Sequence, residues 1–242
     1  MVKGLLTFNY LTFDVVGTLI DFEAGITGCL ASIADEAGVS VDGETALTHY
    51  RKARYSPDAT LFPDDLARVY GVIAPALGLP PGQHYGDRLR ESAATWPAFA
   101  DSKAALARLA TRYRLIAMTN ARRWAFDHFS RELGNPFHAG FTSDDTGTEK
   151  PNPAFFQSVF DFVAREGSGP DDILHVAQSQ YHDIGISRKL GMTNCWIQRR
   201  HARNGYGGTI EPAEFTRPDF HFTSLVALAD AVDTEARQQR NA

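Results

Sequence analysis

Two cysteines occur in 242 residues, Cys29 and Cys195. They stand far apart in the chain, so no disulfide framework is supported and both thiols read as free in a reducing compartment. Long apolar runs are missing as well. The first one, after Met1-Val2-Lys3, is broken at Asn9 and Asp14, and no signal-peptide cleavage pattern stands out. The expected setting is soluble and cytoplasmic, with no membrane partner. An excess of basic charge is also absent. A net charge of −5 argues against the basic face of a nucleic-acid binder. The pairs Arg122-Arg123 and Arg199-Arg200 read as solvated helix ends and loops. There is no internal repeat and no low-complexity tract.

What is present is ordinary globular material, 43% hydrophobic and 22% charged, enough for one large core or a core with a smaller companion. Short apolar runs predict strands at Leu6–Phe13, Tyr113–Met118, Ala139–Thr142, Ile173–Ala177, Asn194–Ile197 and Phe220–Phe222. Amphipathic stretches between them predict helices at Ser102–Thr111, Arg123–Leu133, Pro153–Arg165, Asp183–Leu190 and Ser224–Glu235. Alternation of this kind implies a parallel sheet with helices on both faces, an α/β fold whose chemistry gathers at the carboxyl ends of the strands. Residues 22–98 break the alternation. They read as helices only (Gly25–Ala37, Gly43–Tyr55, Pro63–Leu77, Gly86–Ala94), punctuated at Leu79-Pro80-Pro81-Gly82. The expected organisation is a core of residues 1–21 and 99–242, with 22–98 inserted after the first strand as a helical cap. A long helical crossover is the plainer alternative, but its length argues against it. The polar loop Arg199–Pro218 carries Gly205, Gly207 and Gly208, a weak phosphate-loop signal because no helix start clearly follows.

Four short segments fall where strands end or helices begin. Asp14-Val15-Val16-Gly17-Thr18 closes the first strand, and Met118-Thr119-Asn120 closes the second. Glu149-Lys150-Pro151 precedes a helix. Gln178-Ser179-Gln180-Tyr181-His182-Asp183 follows the strand Ile173–Ala177. Asp14 can attack an electrophilic carbon or phosphorus. Thr119 and Asn120, before a helical stretch, can hold an anionic group. Lys150 can keep Asp14 ionised and offset charge developing there. Asp183 can orient Lys150 or activate a water. Each residue alone also has a structural explanation as a turn, a cap or a surface charge. It is their joint occurrence in this order that favours a site.

In that order the segments resemble the haloacid dehalogenase superfamily, whose four motifs correspond to Asp14–Thr18, Thr119, Lys150-Pro151 and Asp183. The resemblance implies a Rossmann-like three-layer α/β/α core with a parallel sheet, a helical cap at 22–98 and an aspartyl-enzyme intermediate. Phosphatases of the superfamily carry D-x-D in the first motif and use magnesium; here the second acid is Val16 and the first position of motif four is Gln178. The pattern is closer to the metal-independent 2-haloacid dehalogenase branch. Thr119-Asn120 is similar to its S-N pair, and Gln180 keeps an amide at the Asn position of S-x-N-x-x-D. Where that branch has a Tyr six positions after the Lys, this chain has Phe156. Its first-motif Tyr is Val16, and the aromatic before the last Asp is His182.

The resemblance implies these roles. Asp14 displaces a leaving group at C2 of a small carboxylate, and Arg51 (with Arg54 as fallback) accepts that group. Thr119, Asn120 and the backbone near Val15 and Val16 hold the carboxylate. Lys150 keeps Asp14 anionic, Thr18 supports the loop, and Asp183 with Gln180 positions the attacking water. Val16, Phe156 and Gln178 shape the substrate pocket. No cofactor is expected, Mg²⁺ entering only under the alternative of a phosphatase or phosphonatase with a depleted metal site. A non-catalytic binding protein of the same fold is the further alternative. The apolar residues of 22–98 are compatible with a homodimer, although core packing explains them equally well.

Overall fold

In the computed structural model, residues 3–241 are described. Six strands form one all-parallel sheet in the order β3-β2-β1-β4-β5-β6, where β1 is Tyr10–Asp14, β2 Arg114–Met118, β3 Ala139–Phe141, β4 Ile173–Ala177, β5 Thr193–Ile197 and β6 Phe220–Phe222. The first strand starts later than the sequence suggests, because Leu5–Thr7 coils into a 3₁₀ turn. The order reverses between β1 and β4 on one side and β1 and β2 on the other, so the carboxyl end of β1 is a topological switch point. In open parallel sheets ligands bind at that crevice.

Helices α1 (Phe22–Ala37), α2 (Gly43–Arg54), α3 (Leu66–Ile73) and α4 (Gln83–Ser92) fill the interval after β1, as the missing strand signals predict. The expected helix Pro63–Leu77 divides into α3 and a 3₁₀ turn at Pro75–Leu77, where Pro75 ends the α-helical bonding. Around the sheet lie α5 (Ser102–Leu109), α6 (Arg123–Glu132), the short α7 (Ser143–Thr146), α8 (Pro153–Arg165), α9 (Gly185–Lys189) and α10 (Leu225–Asn241). The protein is therefore a Rossmann-like α/β fold with helices on both faces of a parallel sheet.

Strand alternation sorts the interior into two layers. Leu11, Phe13, Leu174 and Val176 point into the larger apolar core, shared with α1, α5 and α10. Tyr10 and Ile173 point to the other face, with Phe155, Phe156, Val159 and Val163 of α8. On that second face Thr12, Asp14 and His175 follow Tyr10 and Ile173 in register. A polar stripe thus runs through buried strand positions towards the carboxyl end of the sheet. None of the helices among the described residues is long and apolar enough to cross a membrane.

Candidate functional site

The segment after β1 is built to present Asp14. Gly17 sits at φ 91°, a left-handed conformation that suits glycine, and its N–H donates to the Ile20 carbonyl at 2.8 Å. The chain therefore turns back on itself within a few residues, and Thr18 comes to face the carboxylate it follows. The Thr18 hydroxyl donates to Asp14 Oδ2 at 2.6 Å and accepts the Gln178 backbone N–H at 2.8 Å. One hydroxyl thereby ties the end of β1 to the end of β4.

Lys150 supplies the cation. Its Nζ donates to Asp14 Oδ1 at 2.9 Å, Asp183 Oδ1 at 2.6 Å and the Met118 carbonyl at 2.9 Å, which uses all three ammonium protons. All three charged groups are buried. Burial pushes the Asp14 carboxyl above its ordinary value, an effect opposed by Lys150 and reinforced by Asp183. Burial would also raise Asp183, but the Lys150 ammonium and a hydrogen bond from His175 override it and hold that carboxyl at about 2. For Lys150, desolvation is outweighed by the two carboxylates, and its ammonium is held above the usual lysine value. The triad carries one net negative charge when all three groups are ionised.

A cavity of about 570 Å³ opens over this triad, lined by Asp14, Val16, Thr119, Asn120, Gln178 and Asp183 from the end of β1 and the segments after β1, β2 and β4, by Lys150 from the segment before α8, and by Tyr50, Arg54 and Tyr55 from α2 and the turn after it. Phe22, Leu61 and Phe62 add an apolar patch to a wall that also carries Ser56, Glu149 and Thr209. His182 also lines it; burial pushes that imidazole down to about 4, so it is neutral near pH 7.

Several expected residues lie elsewhere. Arg51 does not reach the cavity: its guanidinium donates to the Gly207 carbonyl at 2.7 Å. Arg54, one turn further along α2, is the arginine that lines it, 9% exposed, with its guanidinium 3.4 Å from Glu149 and stacked near the Tyr55 and Phe62 rings. Val15 points into the larger core, and only Val16 lines the cavity. Phe156 is fully buried on the inward face of α8, in a T-shaped contact with His175 at 5.6 Å between ring centroids, and does not line the cavity. The spacing Phe156-Val159-Val163 is the helical repeat that puts it there. Gln180 is also turned away. Its Oε1 accepts the Thr216 N–H at 3.1 Å, because a single π-helical turn at Gln180–Ile184 rotates it towards the 199–218 loop while bringing Asp183 inward. Asn120 lines the cavity, but its amide is consumed by a two-way clamp on the Lys150 peptide: Oδ1 accepts the Lys150 N–H at 2.7 Å and Nδ2 donates to its carbonyl at 2.9 Å.

The sequence reading missed His175, whose only signal was a histidine inside the apolar strand Ile173–Ala177. It also missed the cavity's aromatic wall.

The donor set is a poor match for a metal. Mg²⁺ favours six oxygen ligands in octahedral geometry. Val16 contributes no side-chain oxygen, Oδ1 of both Asp14 and Asp183 is occupied by Lys150, and no group of three or more His, Cys, Asp or Glu among the described residues is arranged to hold an ion.

A family model described as haloacid dehalogenase-like hydrolase matches residues 8–177. Among solved structures, the L-2-haloacid dehalogenase PA0810 superposes with a TM-score of 0.74 at 19% identity, covering 94% of this chain and 99% of that one. The L-2-haloacid dehalogenase from Xanthobacter autotrophicus gives 0.72 at 18% identity, covering 93% and 98%, and has also been solved with chloropropionic acid covalently bound. YfnB from Bacillus subtilis, solved bound to magnesium, gives 0.74 at 16%, covering 93% and 99%. A comparison with curated proteins found no match.

Proposed function

This chain belongs to the haloacid dehalogenase-like hydrolase family, and we propose that it hydrolyses the carbon–halogen bond, or a similar carbon–leaving-group bond, at C2 of a small carboxylate. The observation that carries this reading is the Asp14–Lys150–Asp183 triad beneath a cavity of mixed polar and aromatic lining, with Val16 in place of a second acid. Phosphoryl transfer needs a cation or acid for its phosphate oxygens and leaving group. Displacement at carbon needs one anionic nucleophile, a site for the departing anion and exclusion of water.

In this mechanism an Asp14 carboxylate oxygen attacks C2 from the face opposite the leaving group. A C–O bond forms, the carbon–halogen bond breaks with its electron pair, and halide departs towards Arg54. Lys150 keeps Asp14 anionic. Thr119 and the backbone near Val16 receive the substrate carboxylate, with Asn120 holding the Lys150 loop. Water then attacks Cγ of the Asp14 ester, Asp183 takes its proton, and the 2-hydroxy acid leaves with that proton on its oxygen. Asp14 keeps the oxygen from water with the second proton, which it loses to solvent as the carboxylate is restored. The covalent adduct in the Xanthobacter autotrophicus dehalogenase supports an ester route by analogy.

Single-turnover hydrolysis of 2-chloropropionate in ¹⁸O-water tests the reading. Label is expected in the Asp14 carboxylate before it appears in product, with turnover undiminished by EDTA. Phosphate release from phosphate esters that EDTA abolishes, without halide release, would replace this reading with a magnesium phosphatase.

The position of Arg54 makes a second prediction. Arg54→Ala should lower kcat/KM for halide release by about 10²-fold or more, the scale on which loss of one preorganised donor to a developing anion is felt. Arg51→Ala should cost less than about tenfold, since its guanidinium is engaged by Gly207 outside the cavity. Reversed effects in steady-state kinetics would return the halide site to Arg51.

A further inference from the structure

Asp183 is ionised, fully buried and unevenly bonded. Its Oδ1 receives Lys150 Nζ at 2.6 Å and His175 Nε2 at 3.1 Å, whereas its Oδ2 is buried with no hydrogen-bond partner among the described residues. A buried carboxylate oxygen without a donor is costly, and such atoms call for an explanation in function or in a bound water. Asp183 lines the cavity that holds Asp14. One of its oxygens is therefore anchored, and the other lies buried beside the cavity without a donor.

The anchor is itself held. His175, 0% exposed in the middle of β4, is the direct register partner of Thr12 on β1, and its Nδ1 lies 2.8 Å from Thr12 Oγ1. A proton on Nε2 satisfies both contacts at once: Nε2–H donates to Asp183, and Nδ1 accepts the Thr12 hydroxyl. The Phe156 ring packs in a T-shaped contact with the imidazole, 5.6 Å between centroids, and closes it off from that side. The imidazole is fixed at both nitrogens and sterically confined, so it imposes an orientation on the carboxylate above it.

We infer that His175, set by Thr12, is a positioning residue for the second half-reaction, directing the unpartnered Asp183 Oδ2 to the water that opens the Asp14 ester. This rests on the proposed ester route. His175 exchanges no proton. The water's proton passes to Asp183 and then to the departing 2-hydroxy acid, while the Cγ–O bond to the product breaks. Attack of Asp14 on C2 requires no water, so the first half-reaction does not depend on His175.

The test separates the two half-reactions. Rapid-quench single turnovers with 2-chloropropionate, read by the mass of the Asp14 peptide and by halide release, are compared for wild type, Thr12→Val, His175→Leu and His175→Gln. Thr12→Val keeps the side-chain shape and serves if His175→Leu fails to fold. Expected is halide release within about threefold of wild type, with ester breakdown slowed by about 10²-fold, the cost of misplacing a reacting group by about an ångström. Ester then accumulates in Thr12→Val and His175→Leu, and His175→Gln, whose amide can donate to Asp183, recovers most of the hydrolysis rate. Equal slowing of both steps, or an unchanged breakdown rate in Thr12→Val and His175→Leu, overturns the inference while leaving the ester route standing. Wild-type protein that forms no Asp14 ester overturns the ester route and this inference with it.

Discussion

Asp14→Asn should give a folded protein with no measurable halide release, a loss of at least about 10⁴-fold of the kind seen when a covalent nucleophile is removed. An amide oxygen carries no negative charge and cannot complete the displacement at C2. The rest of the site has reason to persist. Lys150 keeps its 2.6 Å contact with Asp183, and Thr18 can still donate to an amide oxygen. Stability should not suffer at neutral pH. The Asp14 carboxyl is pushed up by burial, so its contribution to stability is present when it is protonated and is lost as pH rises through the folded-state pKa. Asparagine has no charge to lose, and the variant's melting temperature at pH 7 should equal or exceed that of wild type by calorimetry. The same raised pKa shapes the wild-type rate. Attack needs the carboxylate, so the acid limb of kcat/KM should lie above the ordinary aspartate value of 3.8. Turnover by Asp14→Asn near the wild-type rate would remove Asp14 as the nucleophile.

The elements that hold this site were legible for a local reason. Asp14, Thr119, Lys150 and Asp183 each lie within a few residues of a strand end or helix start. Those boundaries are written in short apolar runs and in the residues that follow them. What sequence spacing does not carry is rotation about a helix. Arg51 and Arg54 differ by one turn of α2, and only packing of Tyr50 and Ala53 into the core decides which guanidinium faces the cavity. Gln180 failed for a related reason. The segment 180–184 winds as a π turn, which changes the angle between Gln180 and Asp183 from that of an α-helix. Phe156 follows α8's inward repeat, a pattern visible in the sequence but outweighed there by a motif match. The helical block at 22–98 was readable as a block, while the cavity wall it supplies through Phe22, Tyr50 and Tyr55 depends on tertiary packing.

His175 shows how a polar stripe can hide in strand alternation. Position 175 faces the same side as Ile173 and Ala177, and a histidine there reads from sequence as a satisfied core residue. Register adds the missing information, since Thr12 and His175 are paired across β1 and β4, and Asp14 lies two residues beyond Thr12 on the same face. Thr12, His175, Asp183, Lys150 and Asp14 are thus joined by hydrogen bonds in one continuous chain. Low local dielectric strengthens such a network when every member is paired and penalises it when one is removed.

Lys150→Met should expose that penalty. The thioether replaces the aliphatic stem, but Asp14 and Asp183 are left facing one another with no cation between them. Removing one partner from a buried ion pair typically costs about 3–5 kcal/mol, because the remaining charge has lost its compensation. At roughly 2–4 °C per kcal/mol for a chain of this size, the melting temperature should fall by about 10 °C at pH 7. The deficit should shrink on acidification. Without Lys150 the two carboxylates repel and are desolvated, which raises their folded-state pKa values, so the variant regains stability as pH falls and a proton enters the pair. Wild type moves the other way at Asp183. That carboxyl is held at about 2, and its stabilising contribution, present above the ordinary aspartate value, is lost as pH falls through that folded-state value. The two melting curves should therefore converge towards low pH. Steady-state turnover should be lost at every pH, since the proton that relieves the repulsion neutralises either the nucleophile of the first step or the general base of the second. A variant that melts within about 2 °C of wild type at pH 7, no more than about 1 kcal/mol, would show that Lys150 is not what makes two buried carboxylates tolerable in this core.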